Sequence, residues 1–149
     1  MIENKIEIQI REIKHNTEEY SQEQELRDKV LRKPLGLSLY DENLDAEQPD
    51  FHIGAFVNST LVGVMILTRL NTGNVKMRQV AVEEKMRAKK VGREMVHYAE
   101  EYAESEGYAT ILLNARKSAV GFYEKLGYKK ISDEFMEINI PHFKMSKRL

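Results

Sequence analysis

Cysteine is missing from this 149-residue chain. Its absence excludes disulfides, thiolate metal sites and a cysteine nucleophile, and it fits a reducing compartment. Neither sign of charge is in excess: 23 Lys and Arg stand against 24 Asp and Glu, for a net charge of −1. An extended nucleic-acid surface needs a basic surplus, so no nucleic-acid partner is expected and any basic site must be local. No apolar run approaches the ~18 residues of a membrane span, and the N-terminal MIENKIEIQI has no apolar h-region. The chain therefore reads as soluble and cytoplasmic, with no membrane partner. Four scattered histidines show no ligand spacing, so no metal is expected. Repeats, low-complexity stretches and dividing linkers are also lacking. With 42% apolar residues, residues 1–149 suffice for a single domain with one core.

Periodicity organises what is present. Ile6, Ile8 and Ile10 alternate with polar residues, which predicts a first strand. Residues 17–31 carry a narrow apolar stripe of Tyr20, Leu26 and Val30, a helix that Pro34 stops. The segment LGLSLYDENLDAEQPD reads as an irregular acidic surface loop. Two strands follow in residues 51–70, joined at Asn58-Ser59. NTGN at 71–74 is a second turn, and VKMRQVAV a further strand. The tight turns imply an antiparallel meander. Val91, Met95, Tyr98, Ala99, Tyr102 and Ala103 then fall at helical spacing, with Gly107 at the C′ position. ATILLNA reads as a strand buried on both faces. SAVGFYEKLGY is a short helix ending at Gly127, and KKISDEF and HFKMSKR are strand-like. The order β α β β β α β α β β predicts a mixed α/β (α+β) sheet of six to seven strands flanked by helices, with a right-handed crossover at 75–114.

Between the strand VKMRQVAV and the helix at Val91 lies RAKKVGRE, with Arg87, Lys89, Lys90 and Arg93 around Gly92. A helix entrance exposes unpaired N–H groups and a partial positive charge, where phosphates bind readily. It has too few glycines for a Walker loop or a dinucleotide fingerprint. On these grounds alone, a phosphate cradle and a solvated basic turn fit equally well.

Residues 75–130 resemble the GNAT superfamily of N-acetyltransferases, through RAKKVG and through ARKSAVGFYEKLGYKK further on. That superfamily carries R/Q-x-x-G-x-G/A at the loop that holds the diphosphate of coenzyme A. Arg87, Val91 and Gly92 match it, while Lys90 stands where the first glycine is usual. The resemblance implies acetyl-coenzyme A as cosubstrate, with its diphosphate on Arg87, Ala88, Lys89, Lys90, Val91, Gly92 and Arg93. It implies the pantetheine arm along the main chain of Val80, Ala81 and Val82, with one N–H near Val80 polarising the thioester carbonyl. It makes Tyr123 the acid that protonates the departing thiolate; without the motif, Tyr123 reads as a core aromatic beside Phe122 and Leu126. Asn114 reads either as a hydrogen-bond partner of the arm or as a cap or turn residue.

The implied activity is acetyl transfer to a primary amine, on a small molecule or peptide, by direct attack in a ternary complex. The alternative is a non-catalytic acetyl-coenzyme A binding or sensing module. Some superfamily members carry a basic glutamate on the strand before the loop, where this chain has Lys76, Arg78 and Gln79. Water relay, His52 and His142 remain as routes for the amine proton. The tail INIPHFKM is similar to a YjcF-like or ElaA-like bacterial branch, which would put Pro141 and His142 on the acceptor side. Monomer and homodimer both fit.

Overall fold

The structure, a computed structural model, describes residues 7–149, excepting the side chains of Ala88 and Lys89. Ile6 lies outside the described residues. The elements in chain order are β1 (Gln9–Ile13), α1 (Glu18–Arg27), β2 (Phe51–Val57), β3 (Thr60–Asn71), β4 (Asn74–Val82), α2 (Val91–Ser105), β5 (Thr110–Arg116), α3 (Val120–Lys125), β6 (Lys129–Lys130), β7 (Phe135–Glu137) and β8 (Ile140–Arg148). The class is mixed α/β. Eight strands are described because the tail supplies three rather than two: KKISDEF divides into β6, a loop and the start of β7.

The chain forms two compact units. The first holds the described residues up to Leu67 and Gln79–Ala99; the second holds Thr68–Arg78 and Glu100–Leu149. In the first unit β1 and β2 run antiparallel, with Gln9 opposite Phe56 and Ile13 opposite His52. β2 and β3 form a hairpin whose turn residues Asn58 and Ser59 both have positive φ. That is the I′ geometry whose twist matches paired strands. Thr17 caps α1, its hydroxyl accepting from Tyr20 N at 3.2 Å. Ile13, Tyr20, Leu26, Phe56, Val64 and Ala81 form the core, with Val30, Leu31 and Leu61 packed against it.

The predicted helix at 17–31 does not keep α geometry to its end. It widens into a π-type turn over Asp28–Arg32 and tightens into a 3₁₀ turn at Lys33–Leu35, closed by left-handed Gly36. The acidic segment after it is not merely solvated. Two 3₁₀ turns, Leu39–Asp41 and Leu44–Glu47, bury Leu39 and Glu47. Buried Asp28 accepts from Leu39 N at 2.9 Å and pins the segment to the end of α1.

In the second unit the sheet is mixed. β4 pairs parallel with β5 from Asn74↔Thr110 to Met77↔Leu113, and β5 pairs antiparallel with β8. β6 and β7 both pair with β8. The expectation that β5 is buried on both faces is corrected: Ile111, Leu113 and Ala115 are buried, while Thr110, Leu112 and Asn114 are half-buried. Gly107 and Gly127 both sit at positive φ and end their helices by the same double bond. Tyr108 N reaches Ala103 O and Gly107 N reaches Glu104 O; Tyr128 N reaches Tyr123 O and Gly127 N reaches Glu124 O. Among the described residues, no helix is long and apolar enough to cross a membrane.

Candidate active site

The residues singled out from sequence fall in both units. In the first, β4 ends in Val80, Ala81 and Val82, of which only Ala81 is fully buried. Just before them Gln79 has φ +56. A positive φ inside a strand breaks its pleat and turns the following residues. Arg32 holds this kink, donating to Gln79 Oε1 at 3.3 Å and to Glu42 at 2.6 Å. No glycine marks the kink, so the sequence gives no local sign of it.

After Val82, Glu83 N donates to Val62 O at 2.8 Å, and the chain enters a 3₁₀ turn over Glu84–Lys89. Met86 is the buried foot of that turn. Arg87 is exposed, its Nε reaching Val82 O at 3.4 Å. Lys90 closes the turn in the left-handed conformation, φ +64 and ψ +14. The position that the motif assigns to glycine thus has the backbone that favours glycine, carried by a lysine at about 1–2 kcal/mol. Lys90 O accepts from Glu94 N at 3.0 Å, so Lys90 is the entrance residue of α2. The N–H groups of Val91, Gly92 and Arg93 then have no intrahelical carbonyl. Val91 is sealed in the core, and Arg93, like Lys90, is exposed. The result is a helix entrance with main-chain donors and exposed cationic residues at positions 87, 90 and 93, of which Arg93 lies 4.0 Å from Glu94.

Two cavities of about 370 Å³ open in this unit. His15, Tyr20, Gln24, Leu44 and Asp45 help to line one; Leu26, Lys29, Leu61 and Glu83 help to line the other. Among the described residues, neither is lined by Arg87, Lys90, Val91, Gly92 or Arg93.

His52, one of the two histidines considered as bases, belongs to a sealed ionic network. Glu23 receives its Nδ1 at 2.8 Å, and Glu47 O receives its Nε2 at 3.0 Å. Arg27, fully buried, donates to both Glu47 carboxylate oxygens and to Glu23. Tyr20 donates to Glu47 at 3.0 Å. Both His52 nitrogens face acceptors only, so both must carry protons. Burial opposes that charge, but the hydrogen bond and charge of Glu23 outweigh it and hold the His52 pKa above its ordinary value. The network is then neutral, with two carboxylates against guanidinium and imidazolium. Ligand-type atoms of Glu23, Glu47 and His52 lie within 4.8 Å of one another, a grouping that their linear spacing hides. Arg27 supplies the positive charge between the carboxylates.

In the second unit, Tyr123 lies on α3 and is 7% exposed. Its ring meets Phe122 and Tyr128 edge-on, with centroids 5.0 and 5.7 Å away. Burial pushes its phenol up to about 12. Asn114 is neither a cap nor a turn residue. It lies within β5 and donates Nδ2 to Glu137 Oε1 at 3.1 Å. His142 is the other candidate base; its Nδ1 lies 2.7 Å from Ile140 O and its Nε2 3.4 Å from Glu137 Oε2. Glu137 escaped the sequence reading. The signal was present in FMEINI, where Phe135 and Glu137 alternate just before an Asn-containing turn.

Residues 16–149 match the family model for the acetyltransferase (GNAT) domain. The uncharacterized N-acetyltransferase YjcF of Bacillus subtilis (strain 168) is 30% identical over 123 residues, covering 82% of this chain and 87% of that protein. The fold is shared with the crystal structure of Escherichia coli ElaA at TM-score 0.78 and 21% identity, over 95% of this chain and 99% of that one. It is shared also with a GNAT family acetyltransferase from Elizabethkingia anophelis with acetyl-CoA bound, at TM-score 0.73 and 17% identity, over 95% and 98% of the two chains. Sequence motifs, fold and family model agree, and the chain belongs to the GNAT acetyltransferase family.

Proposed function

We propose that residues 1–149 act as a single cytoplasmic acyltransferase domain, moving the acetyl group of acetyl-coenzyme A to a primary amine by direct attack in a ternary complex. The observation that carries this reading is the entrance to α2. Left-handed Lys90 delivers the chain into the first turn of α2, where the N–H groups of Val91, Gly92 and Arg93 have no carbonyl within the helix and Arg87, Lys90 and Arg93 are exposed nearby. Such an entrance suits a diphosphate, which takes main-chain hydrogen bonds and neutralising charge together. Ala88 and Lys89 complete the same loop in the motif. The relative from Elizabethkingia anophelis holds acetyl-CoA, which supports the same cosubstrate here. Val80, Ala81 and Val82, turned by the Gln79 kink, are assigned to the pantetheine arm.

Tyr123 is assigned as the acid. With its phenol at about 12 it stays protonated at neutral pH. A thiolate with an ordinary pKa near 8.5 would take that proton poorly; desolvation raises a thiol's pKa by the same physical effect and narrows the gap. Asn114 is already engaged by Glu137, so we assign it to orienting that carboxylate as well as to contact with the arm.

Calorimetry with coenzyme A, followed by thiol release with a panel of primary amines, tests this reading. Binding and release are expected, with Tyr123→Phe lowering kcat by about 10²-fold or more. Undetectable coenzyme affinity would reject it. Binding without release on any amine would leave the sensing module.

A further inference from the structure

Beyond the coenzyme site, the second unit holds a carboxylate–imidazole pair built with an open proton position. β7 and β8 are joined through Ile138 and Asn139, both at positive φ, which fixes a tight hairpin with Phe135 opposite His142 and Glu137 opposite Ile140. Cross-strand and diagonal partners share a face. Phe135, Glu137, Ile140 and His142 therefore line one face, and β5 brings Asn114 onto it through its pairing with Lys144. The contacts agree: the Phe135 ring stacks on His142 with centroids 5.9 Å apart, and Asn114 holds Glu137 Oε1.

A carbonyl only accepts, so the 2.7 Å contact to Ile140 O fixes the proton of His142 on Nδ1. In the neutral ring Nε2 presents its lone pair toward Glu137 Oε2, 3.4 Å away, a contact longer than either bond of His52. Two acceptors face each other until a proton comes between them. The His142 side chain is 6% exposed and that of Glu137 is 42% exposed, so the pair has an imidazole behind and a carboxylate in front, reachable from solvent. The other charges around it are Arg116, opposite His142 on β5; Lys144, further along β8; and the Lys117–Glu134 ion pair at 3.0 Å.

We propose that Glu137 and His142 form the acceptor subsite: the Glu137 carboxylate docks a cationic primary amine beside the Phe135 ring, and His142 Nε2 takes the ammonium proton. This inference rests on the acyl-transfer reading above. An ammonium has three N–H bonds and the product amide keeps one. One proton breaks from nitrogen to His142 Nε2 and leaves to solvent. The free amine forms the C–N bond as the C–S bond breaks. The second proton ends on the coenzyme sulfur, with Tyr123 as the relay. The arrangement supplies the base missing from β4, where Lys76, Arg78 and Gln79 stand.

Butylamine and spermidine serve as probe amines for the wild-type chain, Glu137→Gln and His142→Gln. Glu137→Gln is expected to raise the amine KM about tenfold or more, with unchanged coenzyme affinity by calorimetry. His142→Gln is expected to lower kcat/KM about 10²-fold and to remove the acidic limb of its pH profile. Nitrogen-15 histidine spectra give a readout without turnover. They should show His142 as the Nδ1–H tautomer, with an Nε2 shift on adding either amine that Glu137→Gln abolishes. An active wild type whose variants keep the amine KM and the acidic limb overturns this subsite and leaves acyl transfer standing. A wild type that releases no thiol overturns acyl transfer. The spectra still decide the subsite, which fails if His142 does not respond to amine.

Discussion

Each unit contains a histidine facing one glutamate and one main-chain carbonyl, and the two could hardly differ more in freedom. His52 sits in the first unit with both ring nitrogens bound at 2.8–3.0 Å and a guanidinium beside its carboxylate partner. Both of its N–H groups have acceptors at hydrogen-bond distance, so its proton has nowhere better to be. His142 in the second unit has one nitrogen bound and the other facing a half-exposed carboxylate at 3.4 Å. The same residue type in nearly the same company is held as a cation in one place and, in the subsite proposed above, takes a proton in the other. Saturation by hydrogen bonds and access to solvent decide which, not the identity of the neighbours.

The contrast breaks most visibly in stability. Glu47→Ala leaves Arg27 and His52 sharing the single carboxylate of Glu23, an uncompensated buried charge that should cost about 3–5 kcal/mol of unfolding free energy. Glu137→Ala removes a half-exposed partner and should cost under about 1 kcal/mol. Urea unfolding of both variants measures the difference, and equal losses would end the comparison.

A smaller effect separates the histidines by pH. The folded pKa of His52 is raised above its unfolded value near 6.5. Its contribution is therefore complete below pH 6.5 and is lost as pH rises through the folded value. Burial alone would raise the Glu47 pKa, but the hydrogen bond and charge of Arg27 outweigh it and hold it below 4.5. That contribution is present above pH 4.5 and is lost as pH falls through the folded value. The network should accordingly stabilise most between these limits. The urea midpoint of the wild type should decline above pH 6.5, and that decline should vanish in His52→Gln while persisting in His142→Gln.

The smallest expected change is at the loop. Lys90→Gly removes the left-handed strain but frees the unfolded chain, so stability should shift by less than about 1 kcal/mol. It also removes one cation from the helix entrance. Coenzyme A affinity measured against salt should then show a shallower dependence than in the wild type.

Much of the scaffold was legible because local chemistry specifies it. Asn58-Ser59, Gly73, Gly107 and Gly127 all take the positive φ that their turns or helix ends require. The apolar period of α2 matched the burial of Val91, Met95, Ala99 and Ala103. Less legible was the last stretch: two short strands, β6 and β7, share β8, and no period develops over two or three residues. The π-type turn after α1 was also hidden, because Asp28 gains its partner from Leu39, eleven residues on. On the site side, Tyr123 and the basic loop were proposed from motif pattern. Glu137 was passed over because the alternation in FMEINI marks a hairpin, while its partners Asn114 and His142 are supplied by strand register.

The sequence by itself determined the succession of strands and helices, the places where the chain turns and the family to which it belongs. These follow from periodicity, glycine and asparagine backbone freedom, and two motifs of fixed spacing. Tertiary structure decided what the ionisable groups can do. Arg27, Glu47 and His52 meet only when residues far apart in sequence fold together, and once sealed from water they must neutralise one another. Asn114, Glu137 and His142 meet only through strand register, and the pair stays open because one side of it faces solvent.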